Sequence, residues 1–133
     1  MRRRQLLGGL GGATAGMALT RRAQAQAQRR PPLLPPRLRE GDAVGIMSPA
    51  GATFERDRLD LVVDAVTALG FVPRVAPHAL TRYGYLAGTD AERAADVNAM
   101  FADPAIKALL PVRGDWGSAR ILPYLDYTTI RTN

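Results

Sequence analysis

The 133-residue chain contains no cysteine and a single histidine, His78. The first absence excludes disulfides, thiolate metal sites and a cysteine nucleophile. The second excludes any mechanism in which this chain alone would use several imidazoles. A membrane-spanning helix needs about 20 predominantly apolar residues. The weakly apolar stretch from Leu6 to Leu19 is shorter and is diluted by Gly8, Gly9, Gly11, Gly12 and Gly16. Acidic residues are missing from residues 1–39, which hold nine arginines. The rest of the chain sets nine basic residues against twelve acids, a net of −3, so the formal charge of +6 originates in the amino-terminal segment. A mildly acidic globular part does not support a positive face for a phosphate backbone, and nucleic acid is not an expected partner.

What the amino terminus does contain is three sequence regions in succession. Arg3-Arg4-Gln5-Leu6-Leu7 fits the twin-arginine export pattern, followed by the short apolar stretch and then by Ala23-Gln24-Ala25 and Ala25-Gln26-Ala27. Small-x-small tripeptides of this kind are what a signal peptidase cuts after. Residues 1–27 are therefore expected to be a twin-arginine-type signal peptide, with a periplasmic destination and no stable membrane anchor. Residues 28–36 are rich in proline and read as an extended linker, and folded structure is expected from about Arg37.

From Gly41 the pattern becomes α/β. Ala43–Met47 is a short apolar run ending in Ser48-Pro49-Ala50-Gly51, as expected of a buried strand entering a loop. Leu59, Val62, Val63, Val66 and Leu69 fall on one helical face, with Gly70 at the capping position. Phe71–Val75 is a strand whose Pro73 favours an edge. Thr89-Asp90-Ala91-Glu92 is a capping box for a helix that presents Ala94, Val97, Met100 and Phe101. Asp103-Pro104 opens a turn or short helix, Ala108–Val112 reads as a strand, and a last helix is expected from Ser118 to about Leu125 with Ile121, Leu122 and Leu125 on its face. Alternating strands and helices predict a doubly wound, mostly parallel sheet flanked by helices.

Chemistry is best placed on Val112–Arg120, where a strand runs into Arg113-Gly114-Asp115-Trp116-Gly117-Ser118. A serine on a sharp turn between strand and helix, with glycines allowing the bend, has the logic of a nucleophile elbow, and the helix amides face any oxyanion formed nearby. The spelling is not G-x-S-x-G, and a serine after glycine at a helix start is most often just an N-cap. Trp116 is readable either as a substrate platform or as packing. Tyr83 and Tyr85 are expected to pack a loop against the sheet, and Asp57, Asp60 and Asp64 to form a solvated helix face. No metal-ligand spacing and no phosphate-binding glycine loop is present, so neither a metal nor another cofactor is expected.

Four stretches carry a resemblance: Leu38-Arg39-Glu40-Gly41-Asp42-Ala43-Val44-Gly45-Ile46-Met47-Ser48-Pro49, Arg82-Tyr83-Gly84-Tyr85-Leu86-Ala87-Gly88-Thr89-Asp90, the Arg113-Gly114 to Gly117-Ser118 turn, and Leu122-Pro123-Tyr124-Leu125-Asp126. In order and spacing they resemble the N-terminal domain of the LD-carboxypeptidases, also called muramoyltetrapeptide carboxypeptidases, over about residues 37–131. The resemblance implies that residues 37–133 are the nucleophile domain of a two-domain serine peptidase, a homodimer when full length, acting on murein-type peptides. It makes Ser118 the nucleophile and puts Gly114, Asp115 and Ala119 at the oxyanion hole, with Trp116 facing substrate. Asp115-Trp116 departs from the glycine-aromatic pair common in the family. The family's catalytic glutamate and histidine lie in a C-terminal domain that this sequence does not contain, so this chain alone is expected to be inactive. His78 is expected to be structural or solvent-facing. Typical family members are cytoplasmic, which is the alternative location. A catalytically silent fragment and a periplasmic peptide- or solute-binding module are the competing functions.

Overall fold

A computed structural model describes residues 34–114 and 116–132. The expected signal peptide, the linker up to residue 33 and Asp115 lie outside the described residues. Leu34–Pro36 contain no helix or strand. From Arg37 onward the chain forms one compact unit.

Strand β1, Ala43–Met47, lies at the centre of a three-stranded sheet and explains its own apolar run. Val44 and Ile46 join Leu59 and Val66 in one cluster, whereas Met47 joins Ala94, Val97 and Met100 in another. A strand buried on both faces has no polar alternation to display. Helix α1, Arg56–Ala68, covers the first face with the expected stripe. Leu69 departs from that stripe and is exposed, because the helix has already ended. The Gly70 amide donates to Thr67 and the Phe71 amide to Val66, with Gly70 at φ +83°, a Schellman closure that glycine permits at little cost.

Strand β2, Val72–Val75, pairs parallel with β1 and is an edge, with Pro73 opposite Val44. Helix α2, Asp90–Ala102, starts at the reciprocal capping box of Thr89 and Glu92 and buries Ala94, Val97 and Met100 on the second face. Asp103-Pro104 forms a turn, in which the Asp103 carboxylate accepts from the Ala105 amide. Strand β3, Ile106–Pro111, begins two residues before the expected run and pairs parallel with the other side of β1. Pro111 closes it opposite Met47, so its missing N–H interrupts no central ladder.

The last expected helix is a 3₁₀ helix, Ser118–Tyr124, followed by a separate short helix α3, Tyr127–Thr132. Pro123 has no amide to continue an α-helical ladder. Only Ile121 is buried along this segment, whereas Leu122 is exposed and Leu125 is partly buried. Asp126 starts α3 by accepting from the Thr128 and Thr129 amides. The chain thus runs from β1 outward to β2 and back across β1 to β3. The reversal makes the carboxyl ends of β1 and β3 a topological switch point, where α/β sheets open a crevice.

Candidate active site

Three segments converge over that crevice. The loop after β1 is anchored by Ser48, whose hydroxyl donates to the Ala79 carbonyl at 2.8 Å. Residues 83–87 lie beside this loop, with Ala52 donating to Tyr85 at 2.9 Å and Ala87 to Ala50 at 3.0 Å. The turn after β3 is the third segment, and Arg113 Nη1 donates to the Ala52 carbonyl at 3.2 Å.

Ser118 is half-buried and is the first residue of the 3₁₀ helix. The cap position belongs to buried Gly117 at φ +104°, so the N-cap reading of Ser118 does not hold. Gly117 is required twice over. Its backbone lies in the left-handed region, and a β-carbon there would sit 2.5 Å from Leu86 Cδ2. Its carbonyl accepts from Arg93 Nη1 at 3.1 Å and from the Arg120 amide at 3.1 Å.

Arg93 is fully buried, and Nη1 also donates to the Pro49 carbonyl at 2.5 Å. Its Nη2 pairs with Asp90, whose other oxygen accepts from Arg120 Nη2 at 3.0 Å and Nε at 3.1 Å. Sequence reasoning missed this network. The signal was available: positions 93, 97 and 100 share one helical face, which puts an arginine on the buried stripe of α2.

Of the expected site residues, Gly114, Trp116, Ser118 and Ala119 lie together on the turn and the helix it opens, Gly114 and Ala119 being exposed. Trp116 stacks on Tyr85 with centroids 5.5 Å apart and planes 20° from parallel. Tyr85 therefore meets an aromatic of the turn rather than only packing its loop on the sheet, and both rings remain accessible.

His78 lies in the loop after β2. Its Nδ1 is 2.7 Å from Asp96 Oδ1, and its amide donates to Asp96 Oδ2 at 3.1 Å. The Asp96 hydrogen bond raises the His78 pKa above its ordinary value, outweighing the opposing effect of desolvation. In the capping box, the Thr89 amide and hydroxyl hold the Glu92 carboxyl below its ordinary range. Among the described residues no cluster of three or more histidine or acidic side chains could hold a metal.

Known proteins are similar to this chain. A Streptomyces coelicolor protein with a carboxypeptidase designation is 42% identical over 100 residues, covering 73% of this chain and 32% of its own. A Bacillus subtilis protein designated a murein peptide carboxypeptidase is 36% identical over 97 residues, 73% of this chain and 30% of its own. The structure of the microcin C7 self-immunity protein MccF superposes with a TM-score of 0.72 at 29% identity, over 77% of this chain and 31% of MccF. An MccF active-site mutant of known structure replaces a serine, an asparagine and a lysine with alanine. The chain spans about a third of the length of these relatives. The LD-carboxypeptidase N-terminal domain matches residues 44–133, and the chain belongs to that family.

Proposed function

We propose that this chain carries the nucleophile of a serine carboxypeptidase that hydrolyses an L,D-peptide bond in murein-type peptides and releases the terminal D-residue. The observation that carries the reading is the Gly117–Ser118 turn, set at the switch point of the sheet and fixed through the Gly117 carbonyl. Ser118 Oγ attacks the scissile carbonyl, its proton passing to a base. The tetrahedral oxyanion is stabilised by amides at Ala119 and around Gly114–Asp115. Collapse breaks the C–N bond as the base returns its proton to the departing D-amino acid, and water then hydrolyses the acyl-serine and restores the Ser118 hydroxyl. Trp116, with Tyr85 against it, faces the substrate beside the nucleophile. The names of the murein peptide carboxypeptidase relatives support the substrate class, and the serine in the MccF active site supports the residue type.

A serine hydroxyl is a poor nucleophile without an adjacent base. His78 is engaged by Asp96 in the loop after β2, and by the family resemblance the base comes from a C-terminal domain. Residues 28–133 alone are therefore proposed to be inactive. In the full-length parent, Ser118→Ala abolishes release of D-alanine from an L,D-linked tetrapeptide; unchanged turnover rejects the assignment.

The MccF likeness favours one second reading. MccF structures contain aspartyl sulfamoyl adenosine and glutamyl sulfamoyl guanosine, and the accessible Trp116–Tyr85 stack suits a planar ring. Parallel assays with the tetrapeptide and with an aminoacyl sulfamoyl nucleoside separate the two substrate classes. We also propose export to the periplasm through the twin-arginine signal. A reporter fused to residues 1–30 should remain cytoplasmic in cells lacking twin-arginine transport.

A further inference from the structure

We propose that Arg93, clamped by Asp90, is a positioning residue for the Ser118 nucleophile; the inference rests on the assignment of Ser118 above. Arg93 reaches the crevice from α2, an element that contributes no reacting group. Its Nη1 ties the Pro49 carbonyl of the loop after β1 to the Gly117 carbonyl of the turn after β3, so one guanidinium bridges both walls of the switch point. Asp90 then holds Arg93 and Arg120 together. The residue before Ser118 is gripped through its carbonyl, and the residue two positions after it through its guanidinium.

Stability alone is a poor explanation for this arrangement. Burying a charge is costly even when it is paired, and replacing a buried ion pair with apolar residues is often neutral or stabilising. Arg93 Nε is moreover buried without any hydrogen-bond partner, a further cost that a hydrophobic side chain would avoid. What an apolar residue cannot do is fix two carbonyls and a carboxylate with one rigid planar fork. Small misplacement of a nucleophile reduces turnover while leaving substrate affinity largely intact.

The test compares Arg93→Lys, Asp90→Asn and Arg120→Gln in the full-length parent, with Ser118→Ala as reference. Turnover of the L,D-linked tetrapeptide and the rate of Ser118 labelling by a fluorophosphonate are measured well below each variant's Tm. Arg93→Lys is expected to lower kcat on the order of 10²-fold with KM unchanged. Labelling should slow in parallel, Asp90→Asn should act in the same direction, and the double variant should fall short of additivity. Arg120→Gln should lose less, because its pair with Asp90 is solvent-exposed on the arginine side. If Arg93→Lys does not fold, Asp90→Asn decides, since it removes the charge partner and keeps the side-chain volume. Wild-type kcat and labelling in folded Asp90→Asn and Arg93→Lys, or a change in KM alone, overturn the positioning role. An active Ser118→Ala variant overturns the nucleophile assignment instead.

Discussion

Gly117 and Leu86 are so closely apposed that a methyl group on the glycine would lie 2.5 Å from Leu86 Cδ2. Leu86 is buried in the segment that pairs with the loop after β1, so it cannot swing freely into solvent. Gly117→Ala therefore combines overpacking with a non-glycine residue at φ +104°. The expected loss is about 1–3 kcal/mol in chemical denaturation. Adding Leu86→Ala should relieve the steric part and leave the backbone part. A Gly117→Ala variant as stable as wild type would contradict the geometry of the turn.

The capping box gives a second prediction. Thr89 Oγ1 accepts from the Glu92 amide at 3.2 Å, while Glu92 Oε2 accepts from the Thr89 amide at 2.8 Å. Thr89→Ala removes the first bond together with the one its hydroxyl donates to Glu92 Oε2 at 2.9 Å, and should cost about 1 kcal/mol, a Tm decrease of roughly 4–8 °C for a domain of this size. The Glu92 carboxyl is held below its ordinary value of 4.5. Its contribution is thus present above that value and is lost as pH falls through the lowered folded-state pKa. Thermal melts of wild type and Glu92→Gln between pH 3 and 6 should converge at the acidic end.

Local signals were legible in the sequence. The apolar run of β1, the α1 stripe with Gly70 beyond it and the Thr89–Glu92 spacing each depend on neighbours within a few residues, and the structure contains all three. Pro73 correctly marked an edge. The errors have the opposite origin. Helical spacing from Ser118 to Leu125 does not distinguish an α-helix from the 3₁₀ helix that Pro123 and the single buried residue Ile121 produce. The Tyr85–Trp116 stack and the Arg93 bridge join segments far apart in the chain, and periodicity contains no information on which distant residue a side chain meets. The turn bearing Ser118 could be found by its glycines, and helical spacing puts Arg93 on the buried stripe of α2, but not which carbonyls its guanidinium meets.

Gly45 offers a third test, in the core. A β-carbon there would lie 2.7 Å from Met100 Sδ and 2.8 Å from Leu109 Cδ2, where α2 and β3 close on β1. Gly45→Ala should destabilise by about 1–3 kcal/mol through overpacking. Met100 is unbranched and can yield, whereas Leu109 is constrained in the sheet. Met100→Ala in the same chain should therefore recover part of the loss, and the pair should be less than additive in urea denaturation. Strict additivity would mean that the helix does not approach the strand this closely.

The pH dependence of His78 supplies the last prediction. Its hydrogen bond to Asp96 raises the folded-state pKa above the ordinary 6.5, with Asp96 and Glu92 both adding favourable charge. A raised histidine pKa means that folding favours the protonated form. The stabilisation is fully present below about pH 6.5 and fades as pH rises through the folded-state value. His78→Gln should flatten this part of the stability profile while leaving the acidic limb assigned to Glu92. NMR titration of the single imidazole reads the pKa directly, and Asp96→Asn should return it toward 6.5, because the carboxylate that holds the protonated ring is then gone. An unshifted imidazole in the wild-type chain would mean that the Asp96 carboxylate does not hold the loop after β2 in solution.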